Sequence, residues 1–280
     1  MNDSRQSQVA NITRDYYNST DADTFYKKIW GGEDIHIGIY NSPNESVSTA
    51  SRRTVEVMAN ALPWLNKNAR VLDMGSGYGG VARYLAKRFG CLVDCVNISE
   101  RQNTYNRQLN SSEGLSELIH VHNANFEDIP FDNSSFNVVW SEDAMVHCGN
   151  RAKVVSEAER VLLVDGFFIF TDILQIESVP KDVIKPVLAR VHLESMGTID
   201  FYKQTAKACG LDFMSFKDMS QHMVIHYKRI YEELDAHFEE LLEICSKDYL
   251  NNMKEGLNHW IKAGKTGYII WGLFKFRKSH

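Results

Sequence analysis

The chain has 280 residues, of which 44% are hydrophobic, and it can therefore bury the core of one large domain. Its formal net charge is −5, its sequence pI is about 6.1, and no run of Lys and Arg is longer than a pair. This charge pattern gives a nucleic-acid partner little electrostatic support, and we expect small-molecule ligands instead.

Five cysteines are scattered along the chain and never form a CxxC pair, which argues against a disulfide framework and against a zinc site. We therefore expect no metal and a reducing, cytoplasmic location. The polar N-terminus predicts no secretory signal. The longest apolar run, 161–174, is too short and too often interrupted to span a bilayer, so we expect no stable membrane association.

Aromatic residues crowd the first 45 positions, and a Gly-Gly turn at 31–32 follows the last Trp of this region. The aromatic residues are Tyr16, Tyr17, Phe25, Tyr26, Trp30 and Tyr40. The segment 26–38, which contains Trp30 and this turn, is predicted to be a loop that packs an aromatic lid over a site, although a small satellite core would give the same composition. We accordingly divide the chain into a lid segment, 1–45, and a main domain, 46–280.

The main domain alternates between helical and strand patterns. Helical spacing of apolar residues predicts a helix within 48–65, before Pro63. Further helices are predicted at 79–89, from Ser99 onward and at 150–163, and strands at 70–74, 91–97, 118–122, 136–141 and 166–174. This alternation predicts an α/β fold with a parallel sheet and helices on both of its faces.

Beyond the fifth strand the pattern loosens. We predict a partly helical insertion at 175–198, a helix at 199–209 and a strand at 211–218. A second helical insertion at 220–264 precedes the strongly β-forming stretch 268–277, which predicts the last strand.

Between residues 70 and 80, an apolar strand leads through an acid into four glycines in six positions. Glycines allow a sharp turn and let a ligand lie against the main chain, and the N-terminus of the following helix should face that ligand. The turn also satisfies the dinucleotide pattern GxGxxG. However, Asp73, two residues before Gly75, would repel a pyrophosphate and attract the positive charges of S-adenosylmethionine.

The run Val-Leu-Asp-x-Gly-x-Gly-x-Gly-Gly at 71–80 resembles motif I of the class I methyltransferases. The resemblance implies a Rossmann-like, seven-stranded, mostly parallel sheet with a late antiparallel strand. It also implies that the Asp73 carboxyl reaches the amino group of S-adenosylmethionine, directly or through water, and that Gly75 and Gly77 lie against this cofactor. The product would be S-adenosylhomocysteine.

Other cofactor positions are expected just after the strands, where ligands bind in open α/β sheets. The run Asn97-Ile98-Ser-Glu-x-x-Gln102 is similar to the branch with cyclopropane-fatty-acid synthases and amine methyltransferases, which implies a ribose site at Asn97, Ile98 and Gln102. Asn125 and Phe126 resemble the adenine-binding segment. Trp140 to His147 resembles the motif after strand 4, with Ser141 near the methionine part of the cofactor.

Three stretches together resemble the sarcosine/dimethylglycine N-methyltransferases, which make glycine betaine: the aromatic N-terminus, the Trp-Ser-Glu-Asp-Ala run at 140–144 and the ending at 267–272. The run Ile-Trp-Gly-Gly-Glu-Asp-Ile-His at 29–36 is the stretch that distinguishes this family, because the Gly-rich motif is specific only for the superfamily. The resemblance implies a small methylated amino acid as substrate.

A methylated ammonium group prefers aromatic faces, since cation–π attraction needs no directional hydrogen bond. We expect Tyr26 and Trp30 to bind the substrate, Trp30 being essential for turnover, and Tyr17 to contribute a ring at the cofactor side. Arg190, with His192 beside it, is the candidate for the substrate carboxylate. His147 and His226 are candidates for relaying the amine proton, and either could instead be a core histidine.

The predicted reaction is a direct in-line displacement, in which the neutral amine attacks the sulfonium methyl group without a covalent enzyme intermediate. Alternatives remain open at this point. They are a methyltransferase for phosphoethanolamine, a tocopherol-type ring or an unsaturated acyl chain, an NAD-linked oxidoreductase, and a non-catalytic cofactor-binding module. The sequence leaves open which of glycine, sarcosine and dimethylglycine is accepted, and which oligomeric state the chain adopts.

Overall fold

The computed structural model describes residues 2–190, 193 and 195–280, and of residues 2–7 and 190 it describes the backbone alone. The described residues form one seven-stranded sheet. Its strands are β1 (Arg70–Met74), β2 (Leu92–Asn97), β3 (Ile119–Asn123), β4 (Phe136–Glu142), β5 (Leu162–Gln175), β6 (Leu211–Asp218) and β7 (Ile269–Lys278).

The strand order is β3-β2-β1-β4-β5-β7-β6. Strands β1 to β5 run parallel, and β7 inserts antiparallel between β5 and β6. The order reverses between β1 and β4, so the carboxyl ends of these strands border the crevice in which ligands bind in such sheets. This topology confirms the predicted seven-stranded, mostly parallel sheet with a late antiparallel strand.

Eleven α-helices occur in the described part of the chain. They are α1 (Asn2–Asn18), α2 (Thr20–Ile29), α3 (Val47–Asn60), α4 (Gly80–Phe89), α5 (Glu100–Ser112), α6 (Arg151–Val161), α7 (Lys181–Arg190), α8 (Ile199–Ala208), α9 (Ser220–Ala236), α10 (Phe238–Leu242) and α11 (Lys247–Lys265). A short 3₁₀ helix, Met145–His147, follows β4. None of the described helices is long and apolar enough to cross a membrane.

Several predicted boundaries need correction. The segment 26–38 is a loop only after Ile29, where α2 ends; Ser19 starts this helix by accepting a hydrogen bond from the Ala22 N–H. Strand β5 begins at Leu162, four residues before the predicted start, because the chain continues through an irregular step at Asp165, whose φ is 67°. The insertion at 220–264 consists of three helices.

The core includes part of the N-terminal segment. Phe25, Ile29 and Ile37 are buried in the same hydrophobic cluster as Val71 of β1 and Val93 of β2. Residues of α2 and of the extended stretch after it are therefore packed as firmly as the sheet. Helix α1 differs, since the described side chains along it are half-buried or exposed.

Candidate active site

Two adjoining cavities lie at the carboxyl edge of β1, β2 and β4. The first, which we call the glycine-turn cavity, encloses about 660 Å³ and is lined by eight of the residues predicted to bind the cofactor. These are Tyr17, Gly75, Gly77, Asn97, Ile98, Gln102, Asn125 and Phe126. Residues separated by more than 100 positions in sequence thus meet around one space, as the order reversal predicts.

The turn after β1 depends on glycine for both conformation and space. Gly75 has a φ of +76°, and a Cβ atom at this position would lie 2.3 Å from the Cβ of Ala144. Its N–H donates to the Val96 oxygen over 2.8 Å, which ties the turn to β2. Tyr78 does not obstruct the cavity, because its ring is buried elsewhere and its hydroxyl donates to Asp23.

Two amide side chains follow β2 at the cavity wall. The Asn97 Nδ2 donates to the Gln102 Oε1 over 3.0 Å, and the Gln102 Nε2 is buried without a hydrogen-bond partner among the described residues. A buried N–H group without a partner is costly unless a ligand accepts its hydrogen bond. The pair is therefore suited to a ligand that carries hydroxyl groups.

Two expectations about this cavity need correction. Ser141 lies outside its wall, because the side chain faces β1 and its hydroxyl donates to the Met74 oxygen over 2.9 Å. The N-terminus of α4 does not border the cavity either: Gly80 is absent from the cavity wall, and an oxygen of Asp34 lies 2.0 Å from where a Cβ of Gly80 would be.

Asp73 is buried in β1, two residues before Gly75; it does not itself line the cavity but lies near Glu142, which does, and its Oδ2 has no hydrogen-bond partner in the described structure. Burial is the main reason that the pKa of Asp73 rises, and the nearby Glu142 adds to it, giving a pKa of about 8. The carboxyl is therefore largely protonated at neutral pH until a cation arrives. The sequence pattern predicted an anion here and could not reveal this burial.

A buried ion pair next to Asp73 was not predicted. The His36 Nε2 lies 2.8 Å from the Glu142 Oε2, and the Nδ1 of the same ring faces the Ile37 oxygen at 3.2 Å. Burial would lower the pKa of His36, but Glu142 outweighs it and raises the pKa to about 9. We therefore describe His36 as an imidazolium that neutralises part of a cluster of carboxyl groups.

This ion pair predicts a pH-dependent stability. Because the folded-state pKa of about 9 exceeds the ordinary value of 6.5, the stabilisation is complete below pH 6.5 and is lost as the pH rises through 9. We expect the free energy of unfolding of the wild type, relative to that of His36→Gln, to fall by on the order of 3 kcal/mol across this range. Urea denaturation of both proteins at several pH values measures it, and a pH-independent difference would contradict the ion pair.

The second cavity, which we call the aromatic cavity, encloses about 680 Å³. Six aromatic side chains line it: Tyr16, Tyr17, Tyr26, Trp30, Tyr227 and Trp260. The ring centroids of Tyr26 and Trp30 are 4.9 Å apart, and the Trp30 Nε1 donates to the His36 oxygen over 3.3 Å. Several electron-rich ring faces around one space suit a methylated ammonium group.

The predicted substrate residues are placed differently from one another. Tyr26, Trp30 and His147 line the aromatic cavity. His226 does not line it, since it packs behind Trp30 and its Nδ1 accepts a hydrogen bond from the Gly38 N–H. An accepting Nδ1 makes this imidazole neutral and structural. Arg190 ends α7, but its side chain lies outside the described residues, as does all of His192.

The two cavities meet at a junction formed by residues that line both of them: Thr13, Tyr17, Ile35, Asp143 and His147. The Tyr17 hydroxyl lies 3.1 Å from the His147 Nε2. Asp143 was missed by the sequence reasoning, although it stands in the Trp-Ser-Glu-Asp-Ala run directly after β4. Its position just after a central strand was the signal that could have identified it.

Comparison with known proteins gives the family of the chain. A family described as methyltransferase domain matches residues 72–170, which extend from β1 into β5. Together with the sheet order and the glycine turn, this match defines the class of the protein, that of the class I S-adenosylmethionine-dependent methyltransferases.

A sarcosine/dimethylglycine N-methyltransferase from Aphanothece halophytica is 50% identical over 270 residues, which cover 96% of this chain and 98% of that protein. One from Halorhodospira halochloris is 49% identical and covers 97% and 98%. A Galdieria sulphuraria crystal structure of a protein proposed to be a sarcosine dimethylglycine methyltransferase gives a TM-score of 0.86 at 38% identity and covers 92% of this chain and 98% of that one. The chain belongs to the sarcosine/dimethylglycine N-methyltransferase family.

The glycine-turn cavity fits the cofactor of this class. A bound S-adenosylmethionine would satisfy three features of the site. They are the space at Gly75 that a Cβ would fill, the buried oxygen of Asp73 and the N–H of Gln102 that has no partner among the described residues. Asp73 would balance its positive charge, Asn97 and Gln102 would bind hydroxyl groups, and Phe126 would pack on a ring. These roles stay predictions.

Proposed function

We propose that the enzyme methylates sarcosine and dimethylglycine and forms glycine betaine. The observation that carries this proposal is the aromatic cavity, which adjoins the glycine-turn cavity at a junction containing Tyr17, Asp143 and His147. The names of relatives that are about 50% identical over nearly the whole chain support the same substrates. Family membership disfavours the acyl-chain, tocopherol-type and phosphoethanolamine acceptors.

S-adenosylmethionine supplies an electrophilic methyl group when bound. The protein contributes alignment of the amine, exclusion of water and a cation-tolerant wall. Tyr26 and Trp30 would surround the methyl groups of the amine, and their ring faces favour the ammonium product without hydrogen-bonding it. Arg190 remains our candidate for the substrate carboxylate.

We assign the handling of the amine proton to His147. Its Nε2 is hydrogen-bonded to the Tyr17 hydroxyl, and both side chains line the junction. An imidazole titrates near neutral pH and can accept a proton directly or through a neighbouring hydroxyl. His226 takes no part in this proposal, because its Nδ1 is already occupied by the Gly38 N–H.

We restrict the proposed lid to α1. This helix supplies Thr13 and Tyr17 to both cavities and touches the His147 turn through a 3.4 Å hydrogen bond from the Thr13 hydroxyl. Phe25, Ile29 and Ile37 are buried in the core, so the segment that carries them is unsuited to opening. Movement of α1 would admit both ligands.

We also propose a location in the reducing cytoplasm, which the free cysteines fit.

Cofactor binding should release a proton. The pKa of Asp73, about 8 without ligand, must fall when a cation binds beside it, so that roughly half a proton or more leaves at pH 7.5. Titration calorimetry in phosphate and in Tris, whose ionisation enthalpies differ, measures this release. We expect the buffer dependence to disappear in Asp73→Asn, and a wild-type enthalpy that is the same in both buffers would contradict the assignment.

The function itself is tested by a product assay. The enzyme is incubated with S-adenosylmethionine carrying a deuterated methyl group and with glycine, sarcosine or dimethylglycine, and products are identified by mass spectrometry. We expect labelled dimethylglycine from sarcosine and labelled betaine from dimethylglycine. Labelling of neither amino acid, with intact cofactor binding, would refute the proposal.

A further inference from the structure

We propose that the carboxylate of Asp143 is a catalytic residue: it is the fixed anion beside which positive charge passes from the cofactor sulfur to the acceptor nitrogen. Trp271 acts as its positioning residue. The acceptor half of this inference rests on the function proposed above, whereas the cofactor half rests on the class of the protein.

The backbone at Asp143 is unusual. Its φ is +52°, in the left-handed region that residues other than glycine seldom adopt, and its N–H donates to the Thr171 oxygen over 3.0 Å. Aspartate is among the residues that tolerate this conformation, and such outliers concentrate at functional sites. The turn directs the side chain away from the continuing β4 direction and into the junction.

Both carboxylate oxygens of Asp143 are fixed by N–H donors. The Ile37 N–H donates to Oδ2 over 2.8 Å, and the Trp271 Nε1–H donates to Oδ1 over 2.7 Å. Burial is the largest effect on Asp143 and raises its pKa above the ordinary value, whereas the adjacent His36 imidazolium and the hydrogen bonds donated to the carboxyl group favour the ionised form. The positive charge of a bound cofactor would favour the ionised form further.

The position of Asp143 is as important as its charge. Among the described residues, it is the only one with a carboxyl group that lines both cavities, since Glu142 lines the glycine-turn cavity alone. A group that borders both cavities lies where a methyl group passes from one to the other.

The charge balance of the reaction explains the need for such an anion. The amine lone pair forms the new N–C bond, and the electron pair of the broken C–S bond returns to sulfur, so the positive charge moves from sulfur to nitrogen. A carboxylate held beside both atoms stabilises this charge throughout the transfer without having to reorient. Its hydrogen bonds to Ile37 and Trp271 come from two different parts of the fold and keep it in place.

An informative test must remove the charge of Asp143 without placing two hydrogen-bond donors against each other. In Asp143→Asn alone, the new amide NH₂ would face either the Ile37 N–H or the Trp271 Nε1–H. In the Trp271→Phe background one donor is gone, and the amide oxygen can accept from Ile37. The informative comparison is therefore Trp271→Phe against Asp143→Asn/Trp271→Phe, with thermal unfolding confirming that both variants are folded.

The first readout is the ratio of the dissociation constants of S-adenosylhomocysteine and S-adenosylmethionine, which differ by the charge on sulfur. We expect removal of the carboxylate to reduce the preference for the charged ligand about tenfold or more. If Asp143 had only a structural role, its replacement would weaken the binding of both ligands alike. A ratio of dissociation constants that is the same in the two variants would overturn the proposal.

The second readout compares the dissociation constants of betaine and of 3,3-dimethylbutyrate, its carbon isostere, in which a quaternary carbon replaces the cationic nitrogen and the carboxylate is kept. The same charge removal should weaken betaine and leave the isostere nearly unaffected; equal weakening of both would overturn the acceptor half. Failure of both compounds to bind the wild type would also overturn the acceptor half, whereas the sulfur-charge ratio still decides the role of Asp143 toward the cofactor and the product assay decides the proposed function.

Discussion

Gly75→Ala is expected to abolish cofactor binding, with a loss of affinity of at least about 100-fold. A methyl group at this position would lie 2.3 Å from the Cβ of Ala144, and the backbone φ of +76° is unfavourable for alanine. The turn would have to shift in the direction of the cavity that it borders. Titration calorimetry with S-adenosylmethionine measures the loss.

Gly114→Ala is a matched control for this variant. Gly114 has a nearly identical φ of +70°, but no atom lies within 4 Å of the position of its Cβ. The control therefore carries the same backbone strain, worth about 1 kcal/mol of stability, without the collision or the cavity. We expect it to bind the cofactor normally, and normal binding by Gly75→Ala as well would contradict the assigned role of Gly75.

Trp30→Ala is expected to reduce methyl transfer to dimethylglycine by at least about 100-fold while cofactor binding stays measurable. Trp30 lines the aromatic cavity and is absent from the wall of the glycine-turn cavity. Its removal would open a space between Tyr26 and His226, whose rings both pack on it. Steady-state rates and calorimetry on the same preparation separate the two effects.

Truncating a buried Trp also costs about 3–5 kcal/mol of stability, so two further variants are required. Trp30→Phe keeps a ring in the cavity, and we expect it to fold well and to retain part of the activity. Trp64→Ala removes a half-exposed Trp that packs on Phe167 and lines neither cavity. Turnover by Trp30→Ala equal to that of Trp64→Ala would exclude Trp30 from the mechanism.

The sequence predicted well those features that depend on neighbouring residues. The glycine turn and the order of elements from β1 to β5 follow from local pattern, because glycine conformation, hydrophobic periodicity and capping act over a few positions. Ser99 starts α5 by accepting a hydrogen bond from the Gln102 N–H, as the capping pattern predicts.

Features that depend on distant residues were not predictable in this way. The His36 to Glu142 ion pair and the Ile37 to Asp143 hydrogen bond each join positions more than 100 residues apart, and no local spacing encodes them. Ser141 was misplaced for a related reason. Successive side chains of a strand point to opposite faces of the sheet. In β4 the Ser141 hydroxyl bonds to the Met74 oxygen of β1, whereas the flanking Glu142 and the turn residue Asp143 line the glycine-turn cavity.

Helix α1 shows a second limit. Its described residues are mostly polar and half-exposed, so helical periodicity gave no signal and no helix was predicted there. In the structure, Tyr16 and Tyr17 at the end of this helix line the aromatic cavity. The polar stretch before this aromatic pair therefore did not reveal the helix that carries it.

A crystal structure with both S-adenosylhomocysteine and dimethylglycine tests the meeting of the two ligands most directly. We predict that the thioether sulfur lies in the glycine-turn cavity beside Asp143, and that the amine nitrogen points at it from between Tyr26 and Trp30. Binding of dimethylglycine outside the aromatic cavity, or a sulfur atom remote from the shared wall of Tyr17, Asp143 and His147, would contradict this account.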